Sequence, residues 1–174
     1  MRSPVPGDPA SLAAAGATAR RVSRELTVVE GRGRTAYASL GEVWGTSTSV
    51  RTRRQGRRAM DALAEAGLHT DVVGEALQAY AAELSELQGR ARAVIDEATA
   101  AGLVVEEGRV RPRWGVTGEA DPRSVDAREA RVRTLQTELD AVGVQHRRRR
   151  DRLLSRVTAS RVELEDLAAA LRLG

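Results

Sequence analysis

Few residues in this chain have the type and spacing to do chemistry. The clearest pattern is Gly31-Arg32-Gly33-Arg34-Thr35-Ala36, which spells the G-x-G-x-x-A form of a dinucleotide-binding turn. That chemistry needs a strand before the glycines, a helix after them and an acid about 20 residues on to hold a ribose. Leu26-Thr27-Val28-Val29 continues a helical spacing instead, no βαβ unit follows, and the acid is missing, so a nucleotide site is not expected. His69 and His146 are far apart, and neither has the H-E-x-x-H spacing of a metal helix. The chain has no Cys, which removes disulfides, thiolate metal ligands and thiol nucleophiles together. No nucleophile, base and orienting group converge by spacing, so an enzyme is not expected, and neither is a cofactor.

Charge offers a second kind of chemistry. All 28 basic residues are arginines and the net charge is +4. Residues 51–58 hold Arg51, Arg53, Arg54, Arg57 and Arg58 with no acid. Residues 71–107 carry eight acids against two arginines, and residues 109–161 carry fourteen arginines against seven acids. An acidic segment followed by a basic one can lie antiparallel with its charges matched, which accounts for the basic balance without nucleic acid. The run Arg147, Arg148, Arg149 and Arg150 fans around a helix at about 100° per residue, so it presents no single face. Stacking aromatics or a recognised module would normally accompany nucleic-acid binding. With no Phe, two Trp and two Tyr, the chain has neither. Arg53, Arg54, Arg57 and Arg147 to Arg150 remain candidate basic contacts, and an Arg-rich coiled-coil protein associated with nucleic acid is the alternative reading.

These groups must be positioned by helices. Asp8 is a good N-cap and Pro9 suits the first helical position. Leu12, Ala15, Ala19, Val22, Leu26 and Val29 recur at steps of three and four, which predicts a helix over 10–30 closed by Gly31-Arg32-Gly33. One further short turn is expected over 34–42, then a bend at Val43-Trp44-Gly45. Thr46 to Ser49 offer caps for a second helix, whose first turns the five arginines crowd against the helix dipole. Gly67 and Thr70 predict a kink or break. Val73, Leu77, Tyr80, Leu84, Leu87, Ala91, Val94, Ala98 and Ala101 then form a seam of the coiled-coil kind.

Leu103 to Glu106 and Arg109 to Arg111 flank Glu107-Gly108 and predict a small β-hairpin. It should lean on the helices through Val104, Val110 or Trp114, since an isolated hairpin is marginal in water. A linker runs to Pro122. Val132, Leu135, Leu139, Val142, His146, Arg150, Leu153, Val157, Ser160, Leu164, Leu167 and Leu171 mark one face of a last helix over 123–172, with a stutter at His146. The expected fold is all-α, an elongated antiparallel helical hairpin or bundle with a small β-hairpin inserted before the last long helix. The expected organisation is one structural domain: a flexible leader over 1–8, the Trp-bend hairpin and long second helix over 9–102, the β-hairpin and linker over 103–122, and the last helix over 123–172. No apolar run is long enough to span a membrane, and a cleaved signal peptide is not expected.

These residues together resemble the WXG100-related N-terminal domains of actinobacterial type VII (ESX-type) secretion substrates. The Pro6-Gly7-Asp8-Pro9 step, the Trp-containing bend at Val43-Trp44-Gly45, the long Ala- and Leu-rich helix around Ala76 to Leu84, the short Val-rich hairpin and the last helix follow the family's layout across nearly the whole chain. The family's bend is Trp-any-Gly, whereas Gly45 here follows Trp44 directly and Thr46 takes the glycine position. Its export signal places an acid four residues after a Tyr, whereas Tyr80 has Glu83 at three and Leu84 at four. The resemblance implies a non-enzymatic secretion-associated protein that pairs by helices with a WXG100-like or toxin-bearing partner, or with itself. In such a pair the partner can supply the export signal. With Gly174 closing the chain, a free-standing partner or targeting module is expected. It would be cytoplasmic before export and secreted by a type VII system without a cleaved signal peptide. The expected partner interface is Trp44 and Gly45 with Val73, Leu77, Tyr80, Leu84 and Leu87 on one helix, and Val132, Leu135, Leu139, Val142 and Leu153 on the other.

Overall fold

A computed structural model describes residues 4–43, 47–113 and 122–172, and the side-chain surroundings of 4–39, 49–113 and 123–172. Trp44, Gly45 and Trp114 lie outside the described residues. The fold is all-α with one hairpin: α1 (Pro9–Val43), α2 (Ser47–Ala100), β1 (Leu103–Glu106), β2 (Arg109–Pro112) and α3 (Pro122–Arg172). The chain divides into two compact units. One comprises residues 1–9 and 80–151, the other residues 10–79 and 152–174. They are called the hairpin unit and the three-helix unit below.

In the hairpin unit α2 and α3 run antiparallel, pairing Tyr80 with His146, Arg90 with Gln145 and Glu97 with Arg131. Large aliphatic side chains fill the seam between them. Leu84, Leu87, Ala98 and Leu135 are wholly buried, and Val94, Leu139 and Val142 are nearly so. Gly102, in the left-handed region at φ +69°, ends α2, and its N–H donates to the Thr99 carbonyl at 3.0 Å. The strands pair with Val105 opposite Val110 and Glu106 opposite Arg109. Glu107 and Gly108 both have positive φ, as a two-residue hairpin turn matched to strand twist requires.

Strand alternation puts Leu103 and Val105 on one face, and with Val110 they join the core of Val94, Ala98, Leu135 and Leu139. Of the residues expected to make that contact, Val110 does, whereas Val104 falls on the opposite face and is only partly buried. Gln136 of α3 ties the hairpin down. Its Oε1 accepts from the Val110 N–H at 2.8 Å and its Nε2 donates to the Gly108 carbonyl at 3.2 Å.

Residues 4–8 depart from the flexible leader expected over 1–8. Val5 is buried, and Gln88 Nε2 donates to the carbonyls of Val5 (3.2 Å) and Gly7 (2.9 Å). Gly7 lies at φ +122°, against Leu84. The segment is held by backbone carbonyls and one apolar side chain.

The three-helix unit is built differently. α1 runs unbroken from Pro9, as the Asp8-Pro9 cap predicts, but it does not stop at Gly31-Arg32-Gly33 and there is no separate turn over 34–42. Nor is α2 broken at Gly67 and Thr70. The glycines sit where side chains cross at close range. A Cβ on Gly33 would collide with Met60, and one on Gly56 with the Tyr37 ring. At the other end of the pair Gly16 and Gly74 face each other, and a Cβ on Gly74 would stand 2.9 Å from the Gly16 carbonyl oxygen. Between them Ser23 Oγ, buried, donates to the Gly67 carbonyl at 2.8 Å. Rising numbers on α1 meet falling numbers on α2, so the two helices are antiparallel. Small residues let their backbones approach closely.

Candidate interaction surface

Among the described residues no group of His, Asp and Glu is placed to hold a metal ion. Gly31, Gly33 and Ala36 lie within α1 with no strand before them, so they form no phosphate-cradling turn. Nor is any described helix long and apolar enough to cross a membrane. What the chain offers is helix surface, and the two units offer it unequally.

The expected interface residues fall on both sides of that division. Tyr80, Leu84, Leu87, Leu135, Leu139 and Val142 are buried in the hairpin unit, against the chain's own helices. Val132 is partly buried against the same core. Val73, Leu77 and Leu153 belong to the three-helix unit and are partly buried. The seam is thus occupied from within the chain along the hairpin unit.

At the Tyr80 level that seam turns polar. Tyr80 Oη and His146 Nε2 share a hydrogen bond at 3.2 Å, both side chains being buried. Burial pushes the Tyr80 phenol up, with Glu83 adding to the rise and Arg150 opposing it. Burial pushes the His146 imidazole down, and the cations of Arg150 and Arg147 push it further. Both effects favour a neutral pair, which is a register-fixing polar contact in an apolar seam. Beside it Arg149 donates to Glu86 at 3.0 Å and to the Glu83 carbonyl at 3.3 Å.

The sequence pattern assigns Arg150 to the seam. The structure puts Arg149 there, with a side chain only 22% exposed, and leaves Arg150 outside, bonded to Asp151. The four arginines do not act together: Arg149 is in an internal ion pair, Arg150 pairs with its neighbour, and Arg147 and Arg148 are exposed.

In the three-helix unit the buried residues, among those described, are Gly16, Ser23, Ser49, Gly56, Gly67, Gly74, Ala76 and Ser160. None is a large aliphatic. Meanwhile most of the large aliphatics exposed among the described residues lie in this unit: Val22, Val28 and Val29 on α1; Val50, Leu68 and Val72 on α2; Leu154, Val162 and Leu171 on α3. Among the described residues of the hairpin unit, Val125 and Val144 are exposed. Leu12, Leu26, Leu63, Val73, Leu77, Leu153, Val157, Leu164 and Leu167 are partly buried in the same unit. Isolated exposed aliphatics are ordinary, but nine in one unit whose fully buried positions are all small are not.

The spacing of apolar residues predicts Ala15, Val22 and Val29 on the packing face of α1. The observed face is Leu12, Gly16, Ala19, Ser23, Leu26, Glu30, Gly33 and Tyr37, one residue along at alternate steps, which turns Ala15, Val22 and Val29 outward. Two cross-helix ion pairs, Arg20–Asp71 at 3.3 Å and Arg34–Asp61 at 2.8 Å, flank that face. They are about half-exposed, so each contributes only about 0.2–1 kcal/mol.

The crossings of Tyr37 with Gly56 and Met60 with Gly33 bring the start of α2 beside the second half of α1. Arg51, Arg54, Arg57 and Arg58 are exposed there, and none of them forms an ion pair among the described residues. Arg53 is partly buried and donates to the Ser49 carbonyl at 3.3 Å. An open cavity of about 340 Å³ lies at this end, lined by Tyr37, Gly56, Arg58, Ala59 and Leu171 among others. Comparison of the chain with protein-family models, with curated proteins and with solved structures found no match.

Proposed function

We propose that this chain is a non-enzymatic helix-pairing protein of the type VII secretion class, and that it works by packing against a WXG100-like or toxin-bearing partner, or against a second copy of itself. The observation that carries the pairing reading is the burial pattern of the three-helix unit: among the described residues its fully buried positions hold only glycine, serine and alanine, while nine large aliphatics stand exposed. Association is driven mainly by removing such apolar surface from water. The secretion class rests on the resemblance. It is carried by the Pro6-Gly7-Asp8-Pro9 step, which leads into α1, and by the Trp44-Gly45 step of the sequence.

The test is made in the native host. The protein is tagged internally within residues 113–120, and culture filtrate is blotted against lysate with and without the secretion ATPase. ATPase-dependent appearance in the filtrate is expected. Retention in the lysate in both strains, with a clean lysis control, would refute the secretion reading and leave a cytoplasmic helical adaptor.

A further inference from the structure

We infer that the partner of this chain is a different, acid-rich helix, and that it lies along the outward row of α1 with its carboxylates toward the arginines that open α2. The inference rests on the pairing reading above and adds the place and chemistry of the contact. Ala15, Val22, Val29 and Ala36 recur every seven residues on one continuous helix, so they share a stripe, and all four are exposed. A stripe repeating at that interval matches the seam of another helix.

Charge decides between a second copy and a different chain. The hairpin unit contains fourteen arginines and fourteen acids, whereas the three-helix unit contains fourteen arginines and ten acids. The whole net charge of +4 therefore belongs to the unit with the exposed stripe. Pairing two copies there would juxtapose like charge. An acid-rich helix would meet complementary charge, which governs both partner choice and encounter rate.

The excess has a position as well as a sign. Arg51, Arg54, Arg57 and Arg58 stand at the end of the α1–α2 pair that holds Val29 and Ala36, beside the cavity at Tyr37 and Leu171. Nucleic acid would use the arginines but has no use for the valine stripe.

Two synthetic amphipathic peptides test this on the full chain. They share one apolar heptad seam and carry either Glu or Lys at the flanking positions. By fluorescence anisotropy the Glu peptide is expected to bind about tenfold more tightly than the Lys peptide, with the gap narrowing between about 50 and about 300 mM salt. Changing Arg51, Arg54, Arg57 and Arg58 to Gln should close the gap. Val22→Glu with Val29→Glu should abolish binding of both peptides while far-UV circular dichroism stays unchanged.

Equal binding of the two peptides overturns the acidic assignment. Sedimentation of the chain alone as a dimer that the valine variant dissociates overturns it too, and leaves pairing intact with a second copy as occupant. Salt-sensitive binding of a DNA duplex, lost in the arginine variant and kept in the valine variant, assigns the arginines to nucleic acid and overturns it. A chain that neither dimerises nor binds either peptide refutes both this inference and the pairing reading.

Discussion

Replacing Gly74 with Ala sets two effects of known sign against each other. In a helix interior Ala is better than Gly by about 0.8–1 kcal/mol, so propensity alone predicts a gain. At Gly74, however, the new Cβ would stand 2.9 Å from the Gly16 carbonyl oxygen and 3.0 Å from the Arg20 backbone nitrogen. Both are backbone atoms of α1, and no rotamer change relieves them. The helices must separate, which loosens Ser23–Gly67 and the crossings further along. Overpacking of this kind costs about 1–3 kcal/mol. Gly31→Ala is the control, because a Cβ there meets nothing within 4 Å and only the propensity gain remains. Propensity cancels between the two variants, so their difference isolates the packing term at about 1–3 kcal/mol. Urea denaturation followed by circular dichroism, with amide hydrogen exchange to localise the change, measures it, since part of a chain can open below the global free energy. Gly31→Ala should stabilise, and Gly74→Ala should fall below it with faster exchange in α1. If Gly74→Ala stabilises as much as Gly31→Ala, the close crossing of α1 and α2 is not how these helices pack.

The buried His146 makes stability depend on pH. Its folded pKa lies below the unfolded value of about 6.5, so the stabilisation is complete above that value and is lost as pH falls from there toward the folded pKa. His146→Gln should flatten the melting temperature between about pH 7 and pH 5. Tyr80→Phe removes the partner of His146 and should cost about 0.5–1.5 kcal/mol by urea denaturation at pH 7.5. Gln88→Ala frees the carbonyls of Val5 and Gly7 and should speed proteolytic removal of the N-terminal segment several-fold, read by intact-mass spectrometry. Leu135→Ala empties a wholly buried site beneath the hairpin and should cost about 2–5 kcal/mol, whereas Leu68→Ala, at 68% exposure, should change stability by less than about 0.5 kcal/mol.

The parts of the fold legible in the sequence are those where the ordinary rules of burial apply. Leu84, Leu87, Leu135, Leu139 and Val142 are large residues of the hairpin unit that recur at helical steps, and they are inside. The hairpin was legible because β-branched residues flank Glu107-Gly108, and both residues adopt the positive φ the turn needs. On α1 the same rules misdirect. The rule that larger apolar residues go inside selects Ala15, Val22 and Val29, but a close helix crossing selects Gly16, Ser23 and Gly33. Two short spacings carried that signal. Gly16 and Ser23 are seven apart, as are Gly67 and Gly74, and antiparallel packing brings Gly16 against Gly74 and Ser23 against Gly67. Gly31-Arg32-Gly33 reads as a helix stop because glycine commonly ends helices, yet Gly33 is placed there by the bulk of Met60. The docking of residues 4–7 was not legible, because Gln88 holds backbone carbonyls that every sequence has.

The two units differ in what holds them, and that difference bears on function. Burying a leucine or valine fully is worth about 1.5–3 kcal/mol, and the hairpin unit buries several. Gly16, Ser23, Gly67 and Gly74 bury little apolar area in the three-helix unit. Partly buried Leu12, Leu26, Tyr37 and Met60, close backbone packing, the buried Ser23 hydrogen bond and exposed ion pairs of about 0.2–1 kcal/mol each hold α1 on α2. Covering Val22, Val28 and Val29 with a partner would bury more large aliphatic surface on α1 than its outward face buries within the chain. Ligands that bind only the folded state stabilise it in proportion to their occupancy. A partner on this face should therefore slow amide exchange in α1 more than in the α2–α3 seam at Leu84 and Leu135. Equal slowing in both units would mean that the partner acts on the chain as a whole, and the division argued from burial would then have no functional meaning.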